Sequence, residues 1–382
     1  MLFRYKNDAN GKQIRQAIVY TEDEHKIKLK HVDQEAMHII NRLHSSGFDA
    51  YIVGGAVRDL LLGRPPKDFD IVTSAEPAKI RRIFRNSRII GKRFRLVHVY
   101  FDSKIYEVAT FRSNENGSVG NTFGSIEEDV RRRDFSINAL YYDPLKNQVI
   151  DYVNGVRDLQ KKKLSAVIPK KTIFLEDPVR MVRAIKYSIM TDCKIPLLLK
   201  LQIAGNASML QYTSDSRITE EINKILKSAH SMPIMKALIR YHLIEYIQPN
   251  VCSFIEDIPD FSKSFFDSLQ ELDQLVAENK IKRQGQALVY LIRDFINLIA
   301  NKNGLSQEVF SFVYKECRHF IMPMNPMRVE LAYAVSICMQ KLGFKSIKIP
   351  SKVRPRTKSK YIKRKNIRKK TSPVSRPSKQ LE

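Results

Sequence analysis

The chain has 382 residues, 43% of them hydrophobic and 28% charged, the balance of a soluble globular protein long enough for two or three modules with a real core. Its 66 Lys and Arg against 40 Asp and Glu leave a net charge of +26, which implies a polyanionic partner, nucleic acid ahead of an anionic membrane. The four cysteines, Cys193, Cys252, Cys317 and Cys338, form no CxxC pair and have no His at zinc spacing, so they read as reduced core thiols.

Residues 1–32 alternate polar and charged side chains without the apolar segment of a secretory signal, and are expected to be a weakly structured leader in a cytoplasmic protein. From Asp33 the spacing of Met37, Ile40 and Leu43 predicts an amphipathic helix that stops at Gly47. AYIV (50–53) predicts a strand running into Gly54-Gly55, followed by a helix over AVRDLLLG that closes at Gly63. After Arg64-Pro65-Pro66 comes the strand-like DFDIVT, then PAKIRRIFR with Pro77 in a first helical turn. LVHVYF (96–101) and KIYEVATF (104–111) flank Asp102-Ser103 as a hairpin. This α/β pattern continues to about residue 165. Beyond Leu175 nearly every segment to residue 345 has helical spacing. Its greasiest stretch, ALVYLIRDFINLIA, is broken by Arg293 and Asp294, as a buried helix would be and a membrane span would not. Residues 346–382 carry fourteen Lys or Arg against one acid, with many Pro and Ser, and read as a disordered basic tail.

The chemistry concentrates around Asp68-Phe69-Asp70. On a strand, residues i and i+2 share a face, so the two carboxylates converge while Phe69 turns inward. Converging carboxylates repel, and Mg²⁺ held by one or two of them plus substrate phosphates relieves that repulsion. Thirteen residues before Asp68, Gly54-Gly55 joins a strand to a helix, where backbone N–H groups can approach a phosphate. Arg58 lies one turn into that helix, in reach of the same anion or of Asp59 or Asp68. Asp134 reads as the N-cap of a short helix, and Glu176, Arg180 and Arg183 recur on one helical face behind Pro178.

YIVGGAVRDLLLGRPPKDFDIVT, IYEVATFR (105–112), RRRDFSINAL (131–140), DYVNGVRDL (151–159) and LEDPVRMVRAIKY (175–187) follow one another in an order that resembles the class II nucleotidyltransferases, the family of bacterial poly(A) polymerases and CCA-adding tRNA nucleotidyltransferases. The resemblance covers roughly residues 36–240. It implies an α/β head (palm) at 33–165, a helical neck at 166–245 that binds the nucleotide base and RNA, a helical body at 246–345 and the tail at 346–382. Asp68 and Asp70 would be the metal ligands, for two Mg²⁺ ions with Mn²⁺ able to substitute. Glu107 becomes a third catalytic carboxylate, and Asp134 is tied to the integrity of the site. Gly54, Gly55, Arg58, Arg132, Arg133 and Asn138 are assigned to triphosphate and ribose. Asp177 and Arg180 are assigned to the base, with Arg183 near the triphosphate.

IIGKRFRLVHVYF (89–101) resembles the poly(A) polymerase branch more than the CCA-adding one, and Lys92, Arg93 and Arg95 suit phosphate or RNA. Lys363, Arg364, Lys365, Arg368, Lys369 and Lys370 in the tail suit generic RNA as well. The connection from Phe111 to Ile126 is shorter than in many relatives. The expectation is therefore template-independent addition of AMP from ATP to RNA 3′ ends in mRNA processing. The implied protein is a monomer with RNA-decay proteins as partners and no membrane contact. Ordered CCA addition and a non-catalytic RNA-binding role stand as alternatives.

Overall fold

The computed structural model of the chain describes residues 2–7, 11–91, 95–102, 104–113, 122–301 and 303–345. Its strands are β1 Leu2–Asn7, β2 Gln13–Tyr20, β3 Ala50–Val53, β4 Asp70–Thr73, β5 Ser87–Ile90, β6 Leu96–Phe101, β7 Lys104–Thr110, β8 Leu140–Asp143 and β9 Gln148–Asp151. Among the described residues they form one sheet in the order β1-β2-β9-β8-β3-β4-β7-β6-β5. Neighbours run antiparallel except β4 and β7, which are parallel.

The central strand β3 is apolar and buried at every position because both faces of the sheet are covered there. Ala50 and Ile52 of β3 point into a core with Ala36, Ile39, Ile40 and Leu43 of the helix Gln34–Ser45, whose N-cap is Asp33. Tyr51 and Val53 point the other way, into a second core with Val72, Tyr141, Ile150 and Val130 of the helix Ile126–Arg131. Ile71 and Val108 belong to the first core. Their neighbours Asp70 and Glu107 therefore fall on the second face, side by side, because the parallel register sets Ile71 against Val108.

Beyond Thr172 the chain is helical. The helices Val179–Thr191 and Asp215–Leu226 adjoin the head, and Pro259–Ala277, Gln284–Ile299, Ser306–Phe320 and Arg328–Lys341 make up most of the body. Phe295 and Phe320 stack at 4.1 Å between ring centroids, with Phe254 edge-on to both. The two charges inside Gln284–Ile299 are partnered, Arg293 by Glu271 and Asp294 by Ser268. Among the described residues no helix is long and apolar enough to cross a membrane. The four cysteines are free and buried.

Residues 1–32, expected to be a weakly structured leader, instead supply β1 and β2. Ile18, Val19 and Tyr20 pair with Asp151, Ile150 and Val149, so β2 is held by a partner far along the chain that local pattern cannot reveal. The short strands β5, β8 and β9 also lacked a pattern of their own. The expected basic tail lies outside the described residues.

Val19 is 4% exposed within the second core. Val19→Asp is expected to lower stability by on the order of 3 kcal/mol, by burying a carboxyl without a partner. Thermal or urea denaturation checks this. An unchanged midpoint would mean that the segment is a detached leader.

Candidate active site

Gly54 ends β3 at φ +68°, ψ −125°, a conformation that only glycine adopts without strain, and it leads into the helix Gly55–Leu61. Arg58, one turn in, is buried. Its Nη1 donates to Asn138 Oδ1 at 2.8 Å, its Nε donates to Asp59 Oδ1 at 2.9 Å, and its guanidinium lies 5.3 Å from the Tyr187 ring centroid. Arginine can only donate, so the Asn138 atom facing it is the oxygen and the amide Nδ2 points away. That Nδ2 is buried with no partner in the protein, and Asn138 lines a cleft.

The cleft has a volume of about 280 Å³ and is lined by Gly54, Asp70, Arg132, Arg133, Asp134, Asn138, Asp177, Arg180 and Arg183. Every one of these was a candidate from sequence. Asp70 opens β4, opposite Val53 of β3. Asp70 is exposed toward the cleft, with protein crowded against the other sides of its carboxylate. Desolvation, then the charges of Glu107 and Asp68, push its pKa up to about 6 against an opposing pull from Arg133. Asp68 departs from expectation. The ladder starts only at Asp70, and Asp68 sits exposed in the loop that follows Pro65-Pro66, outside the cleft lining. Phe69 still packs toward the first core, so the alternation that turns both carboxylates the same way extends one step beyond the hydrogen bonding. Glu107 is exposed on β7, with its Oε1 3.5 Å from His98 Nε2 on β6.

Arg132 and Arg133 end the helix Ile126–Arg131, and both reach back to Asp129. Arg132 Nε donates to Asp129 Oδ1 at 2.8 Å, and Arg133 Nη2 donates to Oδ2 at 2.9 Å. The Tyr141 hydroxyl donates to the same Oδ2 at 2.5 Å. Burial alone would push the Asp129 carboxyl up, but Arg133, Arg132 and Tyr141 outweigh it and hold it well below the usual carboxylate range. Arg133 also donates to the Asn138 carbonyl at 3.3 Å.

Asp134 is not a helix N-cap. Phe135 occupies that position before Ser136–Asn138, and the Asp134 carboxylate instead accepts the Phe135 N–H and faces Arg183, whose Nε lies 2.7 Å from Oδ2 in an ion pair off the line of a hydrogen bond. Arg183 Nη1 is 3.7 Å from Glu221 Oε1, and Lys186 Nζ donates to Glu221 Oε2 at 2.5 Å. Asp177 sits in the extended break before Val179–Thr191. Its Oδ2 accepts from Arg217 Nη2 at 2.5 Å, and its Oδ1 is buried with no partner. Arg180 Nη1 is spent on the Ile173 carbonyl at 3.0 Å and Glu176 at 2.9 Å.

Gly55 and Arg58 lie behind the cleft and do not line it. Arg95 is exposed at the start of β6. Lys92, Arg93 and the tail residues Lys363, Arg364, Lys365, Arg368, Lys369 and Lys370 lie outside the described residues. Asp129, Tyr141, Arg217 and Glu221 were not recognised from sequence. For Asp129 a signal existed, because it stands three and four residues before Arg132 and Arg133, the spacing of a helical ion pair.

Among the described residues no three His, Cys, Asp or Glu side chains form a group able to hold a metal unaided. The carboxylates nevertheless suit Mg²⁺, which commonly takes one or two protein carboxylates and completes its shell with water and substrate phosphates. Asp70, Glu107 and Asp68 stand near enough to repel one another, a negative cluster short of positive charge. Across the cleft the arginines suit a polyanion, and beside the Asp134–Arg183 ion pair the unpartnered Asn138 Nδ2 and Asp177 Oδ1 offer one donor and one acceptor.

A carboxyl with a raised folded pKa costs stability above that pKa, and the cost disappears as pH falls toward the unfolded value. In EDTA at pH 7.5, Asp70→Asn is therefore expected to melt above wild type, and the gap should close as pH drops below about 6. Mg²⁺ should raise the melting temperature of the wild type and leave that of the variant unchanged. Asp129→Asn should cost about 3 kcal/mol in urea denaturation, since two half-buried arginines lose the counter-charge of one buried carboxylate.

Residues 50–165 match the family described as the poly A polymerase head domain, and residues 198–255 the one described as the probable RNA- and SrmB-binding site of polymerase A. Poly(A) polymerase I of Escherichia coli O6:H1 is 37% identical over 68% of this chain and 60% of its own length. The CCA-adding enzyme of Lactobacillus helveticus is 36% identical over 62% of this chain and 57% of its own length. The chain thus spans about three-fifths of these curated relatives. The apo structure of a tRNA-processing enzyme shares the fold with a TM-score of 0.53 at 23% identity, over 80% of this chain and 81% of that one.

Proposed function

We propose that this chain, whose residues 50–165 match the poly A polymerase head-domain family, is a polynucleotide adenylyltransferase, adding AMP from ATP to RNA 3′ ends without a template and releasing pyrophosphate. The observation that carries this reading is the convergence of Asp70, four arginines, Asn138 and Asp177 on one cleft. A nucleoside triphosphate needs that set: cations for its phosphates, a donor for a ribose or phosphate oxygen, and hydrogen-bonding groups at the base.

In this reading Arg132, Arg133 and Arg183 offset the triphosphate charge, and Asn138 Nδ2 donates to an oxygen of the sugar or phosphates. Asp177 Oδ1 accepts from the exocyclic amine of the base, and Arg180 donates to the adjacent ring nitrogen. Asp68, Asp70 and Glu107 would hold two Mg²⁺ ions, which when bound activate the RNA 3′ hydroxyl and neutralise charge at the phosphates. The cleft walls hold the α-phosphate in line with the attacking oxygen and so supply orientation, the other main contribution to phosphoryl transfer.

Adenine and cytosine both present an amine beside an unprotonated ring nitrogen, whereas guanine and uracil present a carbonyl beside N–H. An acceptor at Asp177 and a donor at Arg180 therefore select A and C over G and U, and separate A from C only through shape. That is why ordered CCA addition stands as a second reading, supported by the 36% identical CCA-adding relative. The basic segment at 89–101 and the +26 net charge favour the polymerase, which must hold arbitrary RNA.

With Mg²⁺, an oligo(A) primer and each nucleoside triphosphate in turn, ATP is expected to yield a ladder of long products and CTP to be used poorly. A tRNA lacking its CCA end should gain adenosines without ordered C-C-A addition. Ordered addition followed by arrest would select the second reading. Asp70→Asn should lower incorporation at least a thousandfold, a loss of about 4 kcal/mol of transition-state stabilisation. Retention of more than about a tenth of the rate would remove Asp70 from the chemistry.

A further inference from the structure

The ribbon formed by β1 and the first half of β2 lies outside both family matches, which begin at residues 50 and 198. Only Ile18, Val19 and Tyr20 of β2 are paired to β9, so Arg4–Asn7 and Gln13–Ala17 extend beyond the end of β9, and only Ala17 of β2 in that stretch is buried. The described residues of these strands and Lys12 carry Arg4, Lys6, Lys12 and Arg15 and no acid. Interleaved with them are side chains that a solvent-facing ribbon has no structural reason to expose: Tyr5 is 55% exposed and Phe3 38%. Phe3 and Tyr5, two apart, meet edge to face at 6.3 Å, and the Arg15 guanidinium lies 5.1 Å from the Phe3 ring centroid. A bulge between Arg4 and Tyr5 places Tyr5 directly opposite Arg15.

Lys6, Arg15 and Arg131 border a cleft of about 690 Å³ between this ribbon and the helix Ile126–Arg131. Its two acids are engaged within the protein. Glu127 Oε1 accepts from Gln16 Nε2 at 2.7 Å, and Glu128 accepts from Ser113 and from the Ser125 N–H. Arg131 borders this cleft and Arg132 lines the candidate active site, so the two sites meet at the end of one helix.

We propose that the β1–β2 ribbon is a second RNA contact: a sequence-indifferent platform for single-stranded RNA, in which Tyr5 and the Phe3–Arg15 pair stack on unpaired bases while Lys6 and Arg15 neutralise phosphates. Cations alone would serve duplex or single strand alike. Exposed aromatic and guanidinium planes among them add affinity for bases that have a free face. The identity of the ligand as RNA rests on the proposed function, whereas stacking and charge follow from the ribbon itself.

The test is fluorescence anisotropy of the full chain with labelled oligo(A), oligo(U) and a short RNA duplex across a salt series. Tyr5→Ala should weaken both single strands by about fivefold or more, the lower end expected for one stacked base. It should leave the duplex unchanged, and Tyr5→Trp should restore binding. Lys6→Gln/Arg15→Gln should flatten the slope of log K against log salt by about 1.4, from two phosphate contacts at about 0.7 each. These positions are exposed, so melting temperatures should match wild type, which separates lost contact from lost fold. Unchanged affinity and slope, or equal weakening on the duplex, would overturn the proposal. Extension of a primer too short to reach the ribbon should be the same for wild type and Tyr5→Ala. If no variant, wild type included, incorporates nucleotide, the proposed function fails while the binding result still decides the ribbon.

Discussion

Arg132 and Arg133 share one buried carboxylate, that of Asp129, and the organisation of the cleft depends on that sharing. Arg133 lies close enough to Asp70 to draw its pKa downward. Asp129 sits three and four residues back along the same helix, and the Tyr141 hydroxyl holds the same oxygen from β8. Arg133 is thereby held where its charge reaches the cleft but its hydrogen bonds are spent behind it.

The consequence is a separation of charge that the protein alone does not relax. On one rim desolvation, then the charges of Glu107 and Asp68, push the Asp70 pKa up to about 6. On the other, Arg183 is held by Asp134 and Glu221, and the latter is fixed in turn by Lys186. Each arginine has an acid behind it, and the acidic rim has no such backing. The surplus negative charge faces the place where a cation and a polyphosphate would meet.

The cleft lining was legible in the sequence because its residues lie in short motifs whose spacing has local meaning. Gly54 ends a strand and starts a helix, and Arg180 and Arg183 recur at helical spacing. Asp68 was placed one step too far into β4 because alternation of side chains says where a residue points, and only the partner strand says where the ladder begins. Asp134 was read as a cap from its neighbours, whereas its partner Arg183 lies 49 positions on. Residues 2–20 were misread for the same reason, since β2 is fixed by β9 across more than a hundred residues. Arg217 carries no local signal, because its role appears only when the helix Asp215–Leu226 is packed beside Asp177.

That last contact shows how each module orients its own part of the cleft lining. Asp177 comes from the break between two helices, where its backbone is extended, and Arg180 Nε stands 3.8 Å from its Oδ2. Arg217 takes Oδ2 and leaves Oδ1 buried and unpartnered. In the head, Arg58 does the same to Asn138, taking its oxygen and leaving Nδ2 free of partners. A buried polar atom left unsatisfied costs about 1–3 kcal/mol. Here two such atoms, one donor and one acceptor, are each held by an arginine from outside the lining. A ligand that supplies the complementary acceptor and donor recovers both costs at once, and a ligand of the wrong hydrogen-bonding pattern recovers neither. In the proposed reading Arg58 decides which end of the Asn138 amide faces the ligand, whereas Asp177 presents an acceptor whichever of its equivalent oxygens Arg217 holds, and Arg217 serves to fix where that carboxylate stands.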